Sequence, residues 1–367
     1  MCKIARGEYM HRKLFIPGPT EVKQDVLDAQ AKFMIGHRSK EFTALYDSIL
    51  TQLREFFKTE QNITVITASG TLFMDITARN LIRPGKKALC CVNGAFSDRM
   101  YKAIVNSGKE ADKLEVEWGK AIKPELIKEK LDKEEYDIVT VCQNETSTGV
   151  RANLQEIGDL LKNYPDTLLV VDAVSSMAGD LLYPDQMGTD LLFGSTQKAF
   201  ALPPGLAVGF VSDKALERAK EVPGRGLYTD LVHIFDYYGK KKQTPSTPAV
   251  SLMYAMDYQL KKMLEEGAEN RYKRHKEMAE YTQKWALEKG FVLFAEEGYR
   301  SVTVTTITNT HGKSVAELNK KLAERGLEIS NGYGKLKEQT FRIGHMGDHT
   351  LEDVKEVLSA IEEVWEL

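Results

Sequence analysis

The sequence predicts an α/β fold with a largely parallel sheet, followed by a smaller α+β unit. Between residues 62 and 211 the apolar runs "ITVITA", "ALCCVN", "DIVTVC", "LLVVDA", "DLLFGS" and "LAVGFV" alternate with amphipathic stretches long enough for helices. That is the pattern of strands buried on both faces and joined by crossovers. Beyond residue 290 the strands "FVLF", "SVTVTTI" and "TFRIG" are interleaved with a helix, "SVAELNKKLAERG", a short strand near Leu327 and a terminal helix from Leu351. A chain of 367 residues is longer than one hydrophobic core usually supports, so two domains are expected.

Taken in order, residues 1–18 carry scattered charges and no apolar core, which predicts a short N-terminal arm and not a secretory signal. Residues 19–248 are expected to form the large domain. Within it, only a proline-rich loop separates "DLLFGS" from "LAVGFV", too little for a helical crossover, so one of these strands is expected to run antiparallel. Residues 212–248 hold prolines, glycines and aromatics with no long periodic pattern, and predict a loop-rich functional region. From Val250 to Gly290 the sequence reads as one long helix, with Val250, Tyr254, Leu260 and Leu264 near helical spacing, linking into a C-terminal domain over 249–367.

Composition narrows the function. With 42% hydrophobic residues, 28% charged residues and a net charge of −3, nothing draws the chain to nucleic acid or to an anionic membrane, and a small-molecule enzyme fits the balance better. No run is long enough to span a bilayer. The cysteines, Cys2, Cys90, Cys91 and Cys142, lack CxxC spacing and read as reduced thiols, which points to the cytoplasm.

Three motifs bear on chemistry. Ser69, Gly70 and Thr71 lie between a strand and a helix, where unpaired N–H groups can either bind a phosphate or be capped by the hydroxyls themselves. Asp172 ends an apolar strand, placed to hold a cation or to cap the next turn. Lys198 lies 26 residues later, beyond the next strand, and can be a Schiff-base nucleophile, a phosphate ligand or a solvated loop lysine. The three together decide the matter: an anion cradle, a carboxylate for a pyridinium nitrogen and a lysine for an aldehyde are what pyridoxal phosphate needs.

The ordered set "PGPT", "GHRS", "SGT", "NGAFSDR", "NETSTG", "VDAVSS", "STQK" and "RIG" resembles the class V aminotransferases of the fold-type I pyridoxal-phosphate enzymes, especially the alanine-glyoxylate and serine-pyruvate branch. The resemblance runs from Phe15 to Gly347, nearly the whole chain. It implies a mostly parallel seven-stranded sheet between helices in the large domain, with Lys198 bonding the cofactor and moving the substrate proton, and Asp172 keeping the ring nitrogen protonated. Ser69, Gly70, Thr71 and Gln197 would bind the phosphate, Phe96 and Val174 the two ring faces, and Thr146 or Ser147 the phenolic oxygen. Arg342 would grip the substrate carboxylate, Gly18 would line the substrate side, and His37 or Arg38 would reach the active site, its own or that of the partner subunit. Gln243 and Thr247 would cross to the neighbour's phosphate, making a homodimer with shared sites. The branch implies alanine or serine as donor and glyoxylate or pyruvate as acceptor. Phosphoserine or aminoethylphosphonate transamination, with Arg38, Arg225 or His345 holding a distal anion, and a lyase or desulfurase on the same scaffold are the alternatives.

Overall fold

The structure is a computed structural model and describes residues 11–367. The first ten residues of the expected arm, Cys2 among them, lie outside the described residues.

The large sheet has seven strands in the order Asn62–Thr67, Leu206–Val211, Leu191–Ser195, Leu168–Asp172, Ile138–Cys142, Lys87–Val92 and Glu110–Glu115. The Leu206–Val211 strand runs antiparallel to both neighbours, as its short connection predicts, and the other pairings are parallel. Alternate residues feed two cores. Cys91, Val139, Val141, Val171 and Leu192 face one side, and Cys90, Ile138, Val170, Leu191 and Phe193 the other. The apolar runs are therefore continuous because helices cover both faces. The seventh strand, "EADKLE", escaped the residue pattern because it is an edge: only Leu114 is buried, and its charged side chains pair with Lys87 and Asp98 at 2.8 and 2.5 Å.

Two segments depart from expectation. The stretch expected as one helix is two, Val250–Glu266 and Ala268–Glu288, broken at Gly267 with φ +81°. Glycine there meets no steric penalty, whereas any other residue would be strained. The expected loop region contains helices Asp213–Lys220 and Leu231–Lys241. Both are capped, Ser212 accepting from the Ala215 N–H and Asp230 from the His233 N–H. The second carries a short apolar stripe, Leu231, Ile234, Phe235 and Tyr238, packed on the cores, which the prolines and glycines around it obscure in the sequence.

The smaller sheet runs Lys13–Phe15, Leu327–Asn331, Thr340–Gly344, Val304–Thr308 and Val292–Leu293. Lys13–Phe15 pairs in parallel with Leu327–Ile329, and Phe15 is buried and stacked on His349 at 4.4 Å. From there "PGPT" crosses towards the seven-stranded sheet, where the Thr20 N–H donates to the Gln197 carbonyl at 3.0 Å. The N-terminal segment thus ties the small sheet to the loop that carries Lys198.

Candidate active site

Asp172 closes the Leu168–Asp172 strand, Lys198 follows the adjacent Leu191–Ser195 strand, and Gly70 starts the Thr71–Leu81 helix after the Asn62–Thr67 strand. These three carboxyl ends open into one cavity of about 530 Å³. Ser69, Gly70, Thr71, Phe96, Thr146, Asp172, Val174, Gln197 and Lys198 line it, so most of the residues singled out from the sequence are brought together.

The helix start is shaped for an anion. Ser69 and Thr71 are exposed, no side chain caps the Thr71–Leu81 helix, and the Gly70 N–H donates to Ser195 Oγ at 3.2 Å, which in turn donates to Gln197 Oε1 at 2.5 Å. A Cβ on Gly70 would lie 2.5 Å from Val174 Cγ2, so glycine alone keeps the floor open.

Burial sets the electrostatics. Loss of solvent around Lys198 is the largest influence on its amine, the Arg342 charge adds to it, and together they pull it down to about 8 despite Asp172. Its Nζ donates to the Pro17 carbonyl at 2.5 Å, and Gly18, at φ +132°, passes so close that a Cβ would sit 2.5 Å from Nζ. Burial pushes Asp172 up to about 6, against one hydrogen bond from the Val174 N–H at 2.9 Å. Both groups sit where their protons are exchangeable near neutral pH.

Arg342, on the Thr340–Gly344 strand, is buried without a carboxylate partner among the described residues. Its guanidinium donates to the carbonyls of Asn331 at 3.1 Å and Thr146 at 3.3 Å. Of the hydroxyl pair left open by the sequence, Thr146 lines the cavity and meets Ser175, whereas Ser147 donates to Glu145 Oε1 at 2.6 Å and accepts from the Ala95 N–H at 3.0 Å. Glu145 is the buried cap of the Ala95–Asn106 helix, accepting from the Phe96 and Ser97 N–H groups.

His37, Arg38, Gln243 and Thr247 do not reach this cavity. They cluster elsewhere: His37 Nε2 lies 3.4 Å from Thr247 Oγ1, Arg38 donates to the carbonyls of Thr244 and Pro245 at 2.5 and 2.8 Å, and Gln243 donates to Thr43 Oγ1 at 2.9 Å. Gln243 and Thr247 line a separate hollow of about 510 Å³ with Tyr46, Leu227 and Tyr228. Arg225 is no free cation either, being paired with Asp230 at 2.8 Å, and burial pulls His345 down to about 3, so it stays neutral.

Sequence reasoning missed Arg99, Asn144 and Tyr333. Arg99 and Asn144 line the cavity. Arg99 stacks on Phe96, Cζ to ring centre 4.8 Å, and donates to the Tyr333 hydroxyl at 3.1 Å. Asn144 Oδ1 is buried with no partner. Both stand in quoted motifs, Arg99 one helical turn after Phe96; Tyr333 sits in a loop and gives no signal.

A lysine, a buried aspartate and an open helix start at the carboxyl ends of a mostly parallel seven-stranded sheet define the architecture of fold-type I pyridoxal-phosphate aminotransferases. The crystal structure of an alanine-glyoxylate aminotransferase from Nostoc sp. superposes with a TM-score of 0.92 at 29% identity, covering 97% of this chain and 95% of that one. The chain belongs to the class-V aminotransferase family, whose model matches residues 13–357, and it is an aminotransferase. It is 42% identical to an uncharacterised aminotransferase of Methanocaldococcus jannaschii over 95% of this chain and 91% of that protein. It is 34% identical to the serine-glyoxylate aminotransferase of Methylorubrum extorquens over 91% and 86%. Among the described residues no helix is long and apolar enough to cross a membrane.

Proposed function

We propose that the protein is a pyridoxal-phosphate-dependent aminotransferase that moves the amino group of alanine or serine to glyoxylate or pyruvate. The donor's oxo acid leaves before the acceptor enters, a ping-pong order. One observation carries the reading: Lys198, Asp172 and the Gly70 helix start open into the same cavity. Relatives acting on alanine or serine with glyoxylate support the substrate choice.

The residues fit the cofactor. The uncapped N–H groups at Ser69–Thr71, with Gln197, would hold its phosphate, and Phe96 and Val174 would flank its ring. Thr146, and not the committed Ser147, would meet its phenolic oxygen. Bound there, pyridoxal phosphate supplies an electron-withdrawing ring that makes the α-proton of an amino acid removable. Asp172 would be held ionised by a protonated ring nitrogen, which offsets the burial that raises it. Lys198, with a pKa near 8, would bond the cofactor's aldehyde and, once displaced by the substrate amine, carry the α-proton. Arg342 would take the substrate carboxylate, replacing carbonyl contacts with a charge-assisted fork, and Gly18 would leave room beside it.

The same reading makes the protein a homodimer with shared sites. Gln243, Thr247, His37 and Arg38 sit away from their own Lys198, while Phe33 and Leu227 are 98% and 79% exposed, as residues awaiting a neighbour would be. Among the described residues nothing supports a desulfurase: Cys90, Cys91 and Cys142 are buried, and burial raises each thiol.

The test is to load the protein with cofactor, reduce with borohydride, and map the adduct by peptide mass spectrometry. A panel of amino donors against glyoxylate and pyruvate is then assayed. An adduct on Lys198 and turnover of alanine or serine are expected. An adduct elsewhere, or ammonia release without need of an oxo acid, contradicts the reading.

A further inference from the structure

Resting on the reading that Arg342 takes the α-carboxylate, one cation is left over. Arg99 lines the cavity and has no ion-pair partner among the described residues. The acidic residue before it, Asp98, is engaged by Lys102 and Lys113 at 2.6 and 2.5 Å. Among the described residues Asp172 is the only acidic side chain lining the cavity; it feels the Arg99 charge without forming an ion pair with it, and Glu145 is committed to capping a helix. The phosphate cradle is also on another element, at Gly70, with its own N–H donors. A guanidinium that is partly removed from water and unmatched by an anion is an unfavourable arrangement that a ligand can relieve.

The surroundings orient it. Arg99 stacks on Phe96 at 4.8 Å and gives one N–H to the Tyr333 hydroxyl at 3.1 Å, leaving other donors free. Arg342 lies against the same tyrosine, Cζ 5.5 Å from its ring centre. Tyr333 therefore joins the two guanidiniums, and neither has an ion-pair partner among the described residues; the nearby Glu145 carboxylate is taken by the Phe96 and Ser97 N–H groups.

We propose that Arg99 is a specificity-determining residue that binds a second anion on the substrate side chain, so that the site also takes acidic amino acids and their oxo acids alongside small neutral ones. Arg342 and Arg99 then form a pair of anion receptors, with Tyr333 positioning the second.

Succinate and propionate separate this from simple carboxylate binding, because neither can be transaminated and they differ by one carboxylate. Calorimetric titration of the cofactor-loaded wild type is expected to show succinate binding about 10- to 100-fold tighter than propionate, the worth of one charge-assisted hydrogen-bonded pair. Arg99→Gln should reduce that preference to within about 3-fold, and Tyr333→Phe to an intermediate value. In turnover, kcat/KM for aspartate should fall at least about 10-fold more than that for alanine in Arg99→Gln. A further comparison of aspartate, glutamate and phosphoserine tells a carboxylate receptor from a phosphate one. Equal binding of succinate and propionate by the wild type overturns the proposal, as does an Arg99→Gln variant whose main defect is weaker retention of pyridoxal phosphate. Succinate preference without any transamination would instead leave the receptor standing and remove the proposed function.

Discussion

Arg271 and Arg342 are both buried guanidiniums, 2% and 7% exposed, and they are treated in opposite ways. Arg271, beside the break at Gly267, donates to Glu266 at 2.8 Å, to Asp348 at 3.1 Å, and to the carbonyls of Ala178 and Ala199 at 2.9 and 2.7 Å. Burial alone would raise Glu266 and Asp348, but their contacts with Arg271, Arg274 and Gln259 outweigh it and hold both carboxyls low. That cluster is complete, and it pins the residue next to Lys198. Arg342 has carbonyls only, Arg99 a hydroxyl, Lys198 a carbonyl, and Asp172 a single N–H. The helix break at Gly267 spends its charges on holding the fold, whereas the cavity leaves its charges for ligands.

The sharpest break in that contrast would be a Lys198→Ala variant that still transaminates. Loss of at least about 10³-fold in kcat is expected, since nucleophile and proton carrier go together. Next, Arg271→Ala should cost about 2–4 kcal/mol in urea melts, because it removes a buried guanidinium shared by two half-buried carboxylates and leaves them chiefly Arg274 and Gln259. Arg342→Ala, which strands none, should cost only about 1–2 kcal/mol. Equal costs would mean that the two regions do not differ. Smaller still, Asp172→Asn should stabilise the cofactor-free protein at neutral pH by roughly 1–3 kcal/mol. The sign follows from its folded pKa, about 6, lying above the ordinary aspartate value of 3.8: wild-type stability falls as pH rises between those values, and the variant lacks that slope. Thermal melts at either end of the window check it.

The finished region was hard to read from sequence and the unfinished one was not. Lys198, Asp172 and the Ser69–Thr71 turn announce themselves because each is a polar break at the end of an apolar run, and strand ends in a parallel sheet converge. Arg271 lies in a helix dense with charge, where nothing local says that this arginine is buried and Lys273 beside it is exposed. The break at Gly267 was hidden by flanking helical periodicity. The edge strand Glu110–Glu115 was hidden by the charges that protect it. Tyr333 meets Arg99 and Phe96, which line the cavity, only through tertiary packing.

The most direct measurement is the reactivity of Lys198 in the cofactor-free protein. Acylation with an amine-directed reagent is followed peptide by peptide across a pH series. A cavity that leaves this amine desolvated and beside Arg342 predicts a half-maximal rate near pH 8. A half-point near the ordinary lysine value of 10.5 would show a solvated lysine and contradict the account.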